Sequence, residues 1–357
     1  MTDNASKMIL EPLLGALRQW VYPGEDAPWR HRATDWSAVL DLASENKCLL
    51  LVAEGLNRAR IVIPANRLAE VKARREACLF RNMANLGVTA TVCSILRTHG
   101  IRAISMKGVL RAHAIYGSYD ARPAQDTDIL VTSADYRSAI DVLAANGFHS
   151  PIPATSKWWH DYLGESPHLP VNGGTTVDLH HKVRQPGTPA PTDIARIIAA
   201  ARIAGVGGRE VPVMSDMDAA MLTASSLGKA IRNDEVWLHY AHELFVVTSA
   251  LEAAQRAAYD DYAREIGVLR LWTFATDLAA AAFRLRDGDS EDAPTTAAES
   301  RWMAALLHAQ GDQERRWRRS GLLWQWTDGA VARPLRFARE FGQARLGDMR
   351  RHYEEIS

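Results

Sequence analysis

Apolar residues recur at helical spacing through the first hundred positions. Asp35 is placed to cap a helix that begins with Trp36 and carries Val39, Leu40, Leu42 and Ala43. Pro64 breaks the next segment. A long periodic stretch follows from about Asn66 to His99, with Val71, Cys78, Leu79, Leu86, Val92, Ile95 and Leu96 as its apolar positions and Gly100 as its stop. The character then changes. Residues 101–106 are short and β-branched, Lys107-Gly108 follows, and 109–116 is helical again. A second strand is predicted over 128–131, bounded upstream by Pro123. Ser133 is placed to cap a helix from about Ala134 to Ala145, ended by Gly147. Gly173-Gly174 precedes a third strand over 175–180, and the glycines of 205–208 predict a hairpin turn before a strand over 210–213. After Ser215 the helical pattern returns, interrupted by a polar loop over 285–296.

These elements predict an α+β protein. A small mixed sheet with helices fills residues 101–215, between an N-terminal helical region (1–100) and a C-terminal helical domain (216–357). Hydrophobic residues make up 47% of the chain and charged ones 24%, as in soluble globular proteins. The 42 basic and 42 acidic residues cancel, so no global field attracts long nucleic acid. Basic residues gather late, with eleven Arg against seven acids over 301–357, either as a solvated helical face or as a local anion-binding surface. Cys48, Cys78 and Cys93 are far apart, lack CxxC spacing and fit a reducing cytoplasm. The first residues lack a basic region followed by an apolar run, and no 18-residue uncharged apolar stretch occurs. A soluble cytoplasmic protein is therefore expected, with no signal peptide and no membrane span.

Candidate chemistry gathers in residues 106–131. Side chains on a strand alternate faces, so Asp126 and Asp128 point the same way. Two neighbouring carboxylates repel, which a cation between them relieves. Asp178 lies between Val177 and Leu179, on the polar face of its own strand. If the two strands are neighbours, three carboxylates converge, a hard-oxygen set suited to Mg²⁺. Lys107-Gly108 supplies the complement, because glycine lets a phosphate approach the backbone where a helix begins. Arg122 adds a fork of donors nearby. Taken alone, Asp-Thr-Asp is equally a solvated turn, and Lys107 or Arg122 equally an ion-pair partner of the carboxylates. His180 and His181 face opposite ways and cannot easily share an ion; one of them is expected to pack or bond beside the site. His239, His242 and Glu243 lack HExxH spacing and favour a structural role. Lys229 and Arg232 are a weaker candidate contact for a triphosphate, and Trp158-Trp159 for a stacked base.

The segments KGVLRAHAIYG, ARPAQDTDILV and VDLHH together resemble the uncharacterised-nucleotidyltransferase branch of the DNA polymerase β-like superfamily. That branch reads KG-x-x-L, Y, RP, DIDLLV and DLHW in this order. The resemblance covers about residues 35–213 well and the later helices loosely. It implies a minimal nucleotidyltransferase palm in which Asp126, Asp128 and Asp178 are catalytic and hold metal. It also implies that Lys107 and Gly108 stand where most superfamily members have Gly-Ser. Two departures are visible: Thr127 replaces an apolar residue between the aspartates, and His181 replaces the aromatic of DLHW.

The expected activity is Mg²⁺-dependent nucleotidyl transfer of the EC 2.7.7 type, with two ions. An NMP, AMP by preference, moves from an NTP to a hydroxyl of a small-molecule or peptide acceptor, with release of pyrophosphate. Lys107, Gly108, Arg122 and His180 are the expected contacts to the nucleotide. Two alternatives belong to other classes: a catalytically weak nucleotide-binding or antitoxin-like interaction module, and a terminal phosphoryl transferase.

Overall fold

Caps and close contacts fix the first helices. The structure, a computed structural model, describes residues 3–24, 34–184, 189–233 and 235–283. The polar loop predicted at 285–296, the Arg-rich stretch 301–357 and the Arg232 side chain lie outside the described residues. Helix α1 (Asp3–Arg18) packs on α3 (Leu49–Arg58) so closely that a Cβ on Gly55 would lie 1.9 Å from the Ala16 carbonyl oxygen. Helix α2 (Trp36–Glu45) begins as predicted, with Asp35 accepting from the Ala38 amide at 3.1 Å. Helix α4 (Ala65–Thr98) starts after Pro64, which lacks the N–H that a first turn leaves unpaired anyway. It stops at Gly100, whose φ of 76° is left-handed.

The chain then builds a sheet. Strand β1 (Ile104–Ser105) leads into α5 (Val109–Tyr116), β2 (Thr127–Leu130), α6 (Tyr136–Ala145) and β3 (Phe148–His149). A π-helical turn (Trp158–Leu163) precedes β4 (Glu165–Pro170) and β5 (Val177–His180). After α7 (Ile194–Ala199), the hairpin of β6 (Arg202–Val206) and β7 (Arg209–Val213) completes a seven-stranded sheet of order β3-β4-β5-β2-β1-β7-β6. Pairs β2–β5 and β1–β7 are parallel, and the others antiparallel. Helices α8 (Asp216–Asn233), α9 (Leu238–Ser249), α10 (Ala253–Glu265) and α11 (Leu269–Phe283) follow. The fold is α+β, a mixed sheet with flanking helices.

Core packing places helices on both sheet faces. Ile129, Val177 and Leu179 bury against Val92 and Leu96 of α4 and Leu143 of α6. Ile104 and Leu130 bury against Ile197 of α7 and Leu222 of α8. A third cluster joins the two ends of the described chain: Leu13, Leu17, Leu40 and Leu51 share it with Leu227, Leu244 and Phe283.

Two local expectations need correction. Helix α6 begins at Tyr136, and Ser133 does not cap it: Thr132 makes the preceding turn by bonding Asp135, while Ser133 Oγ lies 3.0 Å from His181 Nδ1. Strand β4 was not predicted at all. Its buried residues are Ser166 and His168, joined at 2.9 Å and tied to the Tyr136 hydroxyl, so the hydrophobic pattern carries no trace of it.

Candidate active site

Gly108 makes the turn between β1 and α5 with φ 87° and ψ −143°, a conformation open to glycine and strained for other residues. A Cβ there would meet Ala124 Cβ and the Asp126 carbonyl oxygen at 3.9 Å, so this turn runs alongside the loop that delivers Asp126. Two buried asparagines on α4 hold that loop. Asn82 donates to the Tyr119 and Arg122 carbonyls at 2.6 and 2.9 Å and accepts from the Ala124 amide at 2.9 Å. Asn85 donates to the Ala124 carbonyl at 2.9 Å and accepts from the Thr175 hydroxyl, tying the loop to the approach of β5. The Thr127 hydroxyl joins the same network, 3.3 Å from that of Thr89, which accounts for a polar residue between the aspartates.

The parallel register of β2 and β5 pairs Asp128 with Asp178 directly, and Leu130 with His180. Asp178 and His180 are two residues apart and share a face. Ligand atoms of Asp128, Asp178 and His180 all lie within 4.8 Å of one another. Asp126, just before β2, is outside this trio but lies close enough for its charge to act on Asp178. The His180 ring stands between two acids, with Nε2 3.1 Å from Asp128 Oδ1 and Nδ1 3.3 Å from Glu165 Oε2. His181 faces away, its Nε2 2.7 Å from the His160 carbonyl and its ring tilted over Tyr136.

Charge is concentrated here. Asp128 is 2% exposed, and Lys107 Nζ sits 2.8 Å from its Oδ1. Burial alone would raise the Asp128 carboxyl, but Lys107 and His180 hold it well below the usual carboxylate range. Burial works against the Lys107 ammonium too, yet Asp128 more than offsets it and the net shift is upward. At the other two carboxylates burial outweighs the opposite charges of Lys107 and His180. Burial, then the negative charge of Asp128, raises Asp126. Burial pushes Asp178 up to about 6, with His180 pulling the other way.

A cavity of about 430 Å³ opens beside the carboxylates. Its walls include Lys107, Gly108, Arg122, Asp126 and Asp128; Asp178 and His180 are not among the lining residues. Helices α3 and α4 contribute Leu50 and Arg74, and α8 and α9 contribute Thr223 and Tyr240. Arg122 is held by Glu243 at 3.5 Å, not by the carboxylates of the strands. The same buried Glu243 holds Arg111 at 3.2 Å and accepts from the Thr223 hydroxyl at 2.6 Å, fastening α9 to α5 and α8. His242 bridges the Tyr116 hydroxyl and the Leu17 carbonyl, a structural role. Trp158 stacks on Tyr162 with ring centroids 4.5 Å apart. All three cysteines are buried, and burial raises each thiol, Cys48 and Cys93 to about 12 and Cys78 to about 11.

Sequence reasoning missed Asn82, Asn85, Glu165 and the anchoring role of Glu243. Only the asparagines left a signal: two amides at i, i+3 on the buried face of a long helix have to find partners.

No curated protein matches the chain. The model of the family described as "Uncharacterised nucleotidyltransferase" matches residues 32–284, which take in every site residue above. With acids of neighbouring strands beside a Lys-Gly turn, and a family match over most of its length, the chain belongs to the uncharacterised nucleotidyltransferases, transferases of the EC 2.7.7 type that move a nucleoside monophosphate group.

Proposed function

We propose that the protein transfers AMP from ATP, with Mg²⁺, to a hydroxyl of a small-molecule or peptide acceptor and releases pyrophosphate. The observation that carries this reading is the register pairing of Asp128 with Asp178 beside the Lys107-Gly108 turn. The donor set suits a divalent ion: carboxylate oxygens with one imidazole nitrogen, gathered within 4.8 Å. Asp128 and Asp178, with Asp126 adjoining, would hold two such ions. Bound there, Mg²⁺ supplies charge stabilisation for the attacking and leaving oxygens.

The chain's own residues do the rest. Gly108 leaves room for phosphate at the N-terminus of α5, and Lys107 adds a point charge. Arg122, fixed by Glu243, presents its guanidinium to the cavity without rotamer freedom to lose. His180 orients Asp128. Asp178, beside the ions, orients the acceptor hydroxyl and takes its proton. The hydroxyl oxygen bonds to the α-phosphorus, the α–β bridging bond breaks, and its electrons leave with pyrophosphate. We assign the donor half to residues 101–215. The flanking helices shape the acceptor pocket, whose cavity walls draw on α3 and α4 before the sheet and on α8 and α9 after it. A cavity of this size holds a small molecule or peptide end.

The test is label transfer from α-labelled ATP. Asp126→Asn with Asp128→Asn should lower it by at least about a hundredfold while the fold survives. Transfer that persists would remove the proposed site. The mass of the product separates AMP transfer from terminal phosphoryl transfer.

A further inference from the structure

Helix α4 lines the cavity with a stripe that the transfer chemistry leaves unused. Arg74, Ala77, Cys78 and Arg81 stand at i, i+3, i+4 and i+7, so they share one face, and all four belong to the cavity wall. The two arginines are exposed, and the side chains between them are short. Lys47 joins the same wall from the turn between α2 and α3. Its φ of 57° is left-handed, at the position after a helix cap where glycine is usual, so backbone preference does not account for a lysine there.

The acids of the cavity wall are Asp126, Asp128 and Glu243. Lys107 pairs with Asp128, while Arg111 and Arg122 pair with Glu243. Lys47, Arg74 and Arg81 form no ion pair among the described residues. Seven residues of α4 span only about 10 Å, so the long arginine side chains can converge on one ligand.

His239 of α9 is a second, independent observation. It is 4% exposed and lines the cavity, and its Nδ1 is buried without a hydrogen-bond partner. His242, on the same helix, bonds through both ring nitrogens. Burial, then the charges of Arg122 and Lys47, hold the His239 ring neutral, well below its usual range. Lys47 is therefore close enough to act on this ring. A buried polar atom in a cavity wall that the protein leaves unpaired calls for a partner from the cavity.

We propose that Lys47, Arg74 and Arg81 bind an anionic group of the acceptor, a phosphate or a carboxylate, and that His239 hydrogen-bonds the body of the same molecule. The acceptor is then a hydroxyl compound that carries negative charge away from the hydroxyl that reacts. This rests on the nucleotide-transfer reading above and narrows its acceptor class. Two guanidinium forks and one ammonium suit an oxyanion, and a neutral acceptor would leave all three cations unmatched.

The experiment is calorimetric titration of the full chain with glycerol phosphate, glycerate and glycerol. Mg²⁺ and saturating α,β-methylene ATP keep the nucleotide site filled. At least one of the two anions should bind saturably and glycerol should not, and the tighter anion identifies the group. Arg74→Gln and Arg81→Gln, both at exposed positions, should each weaken that anion about tenfold, and Arg81→Lys should recover most of the loss. Affinity for the ATP analogue should stay within about twofold. Three results overturn the assignment: no preference for either anion over glycerol, anion binding indifferent to both arginines, or an equal loss for the ATP analogue, which gives the cations to the nucleotide. The two readings fail separately. Arginine-dependent anion binding in a protein that never transfers label from ATP would sink the transferase reading alone. Label transfer to a neutral acceptor, undiminished by Arg81→Gln, would sink the anion site alone.

Discussion

Asp128 and Asp178 face each other across one strand pairing, yet their carboxyl groups are shifted in opposite directions. Asp128 is stabilised as an anion, so its contribution to stability is present above the ordinary carboxylate range and fades as pH falls below it. Asp178 is raised to about 6, so the metal-free fold loses stability as pH climbs from about 4 to 6 and that carboxyl ionises. Asp178→Asn should therefore raise the melting temperature at pH 8 and leave it nearly unchanged at pH 4, while removing transfer activity. An ion at this site must displace the Asp178 proton. Mg²⁺ affinity should fall as pH drops through about 6, and calorimetry in buffers of different ionisation enthalpy should show proton release at the lower pH. A flat affinity across that range would separate Asp178 from the metal. The sequence placed each of these aspartates on a strand face, but their pairing was legible only on the condition that β2 and β5 are neighbours, which alternation along one strand cannot decide. The Lys107–Asp128 ion pair was visible only as one of two options, since spacing cannot say which anion a lysine meets.

Elements position these residues through a few close contacts. Asn82 alone ties α4 to three backbone groups of the loop before Asp126. Asn82→Ala leaves buried carbonyl and amide groups unpaired and should cost about 1–3 kcal/mol, measured by urea unfolding. Activity should fall further than stability explains, since the loop also carries Arg122. Gly55→Ala should destabilise by about 1–3 kcal/mol or more, because its methyl would collide with the backbone of α1 and not with a yielding side chain. Helix α4 and the β6–β7 hairpin were readable because their signals are local: periodicity, Pro64, and a run of glycines. Strand β4 was unreadable because its inward face is a serine and a histidine that bond each other, a pattern indistinguishable from a polar loop until Tyr136 is brought beside it.

The molecule as a whole brings its helical regions together. Residues of α1–α3 and of α8–α11 bury in one apolar cluster, and the sheet lies between them in sequence. Phe283, fully buried against Phe245 and His242, should cost about 3–5 kcal/mol when replaced by alanine, and hydrogen exchange should then rise in α1 as well as α11. Exchange confined to α11 would mean that the two ends open independently. No helix among the described residues is long and apolar enough to cross a membrane. Hydrophobic patterning could announce helices at both ends of the chain, but not that they share a core, since periodicity reports a buried face and never its partner.

The bond between His242 and the Leu17 carbonyl spans 225 residues, and that separation has a consequence during synthesis. At roughly 5–20 residues per second, a ribosome needs on the order of 10–45 s to deliver α9 after α1. Through that interval Leu13 and Leu17 are covered only by α2 and α3, without the late helices that complete their cluster. The sheet, complete by Val213, can form first and serve as the platform on which the late helices close.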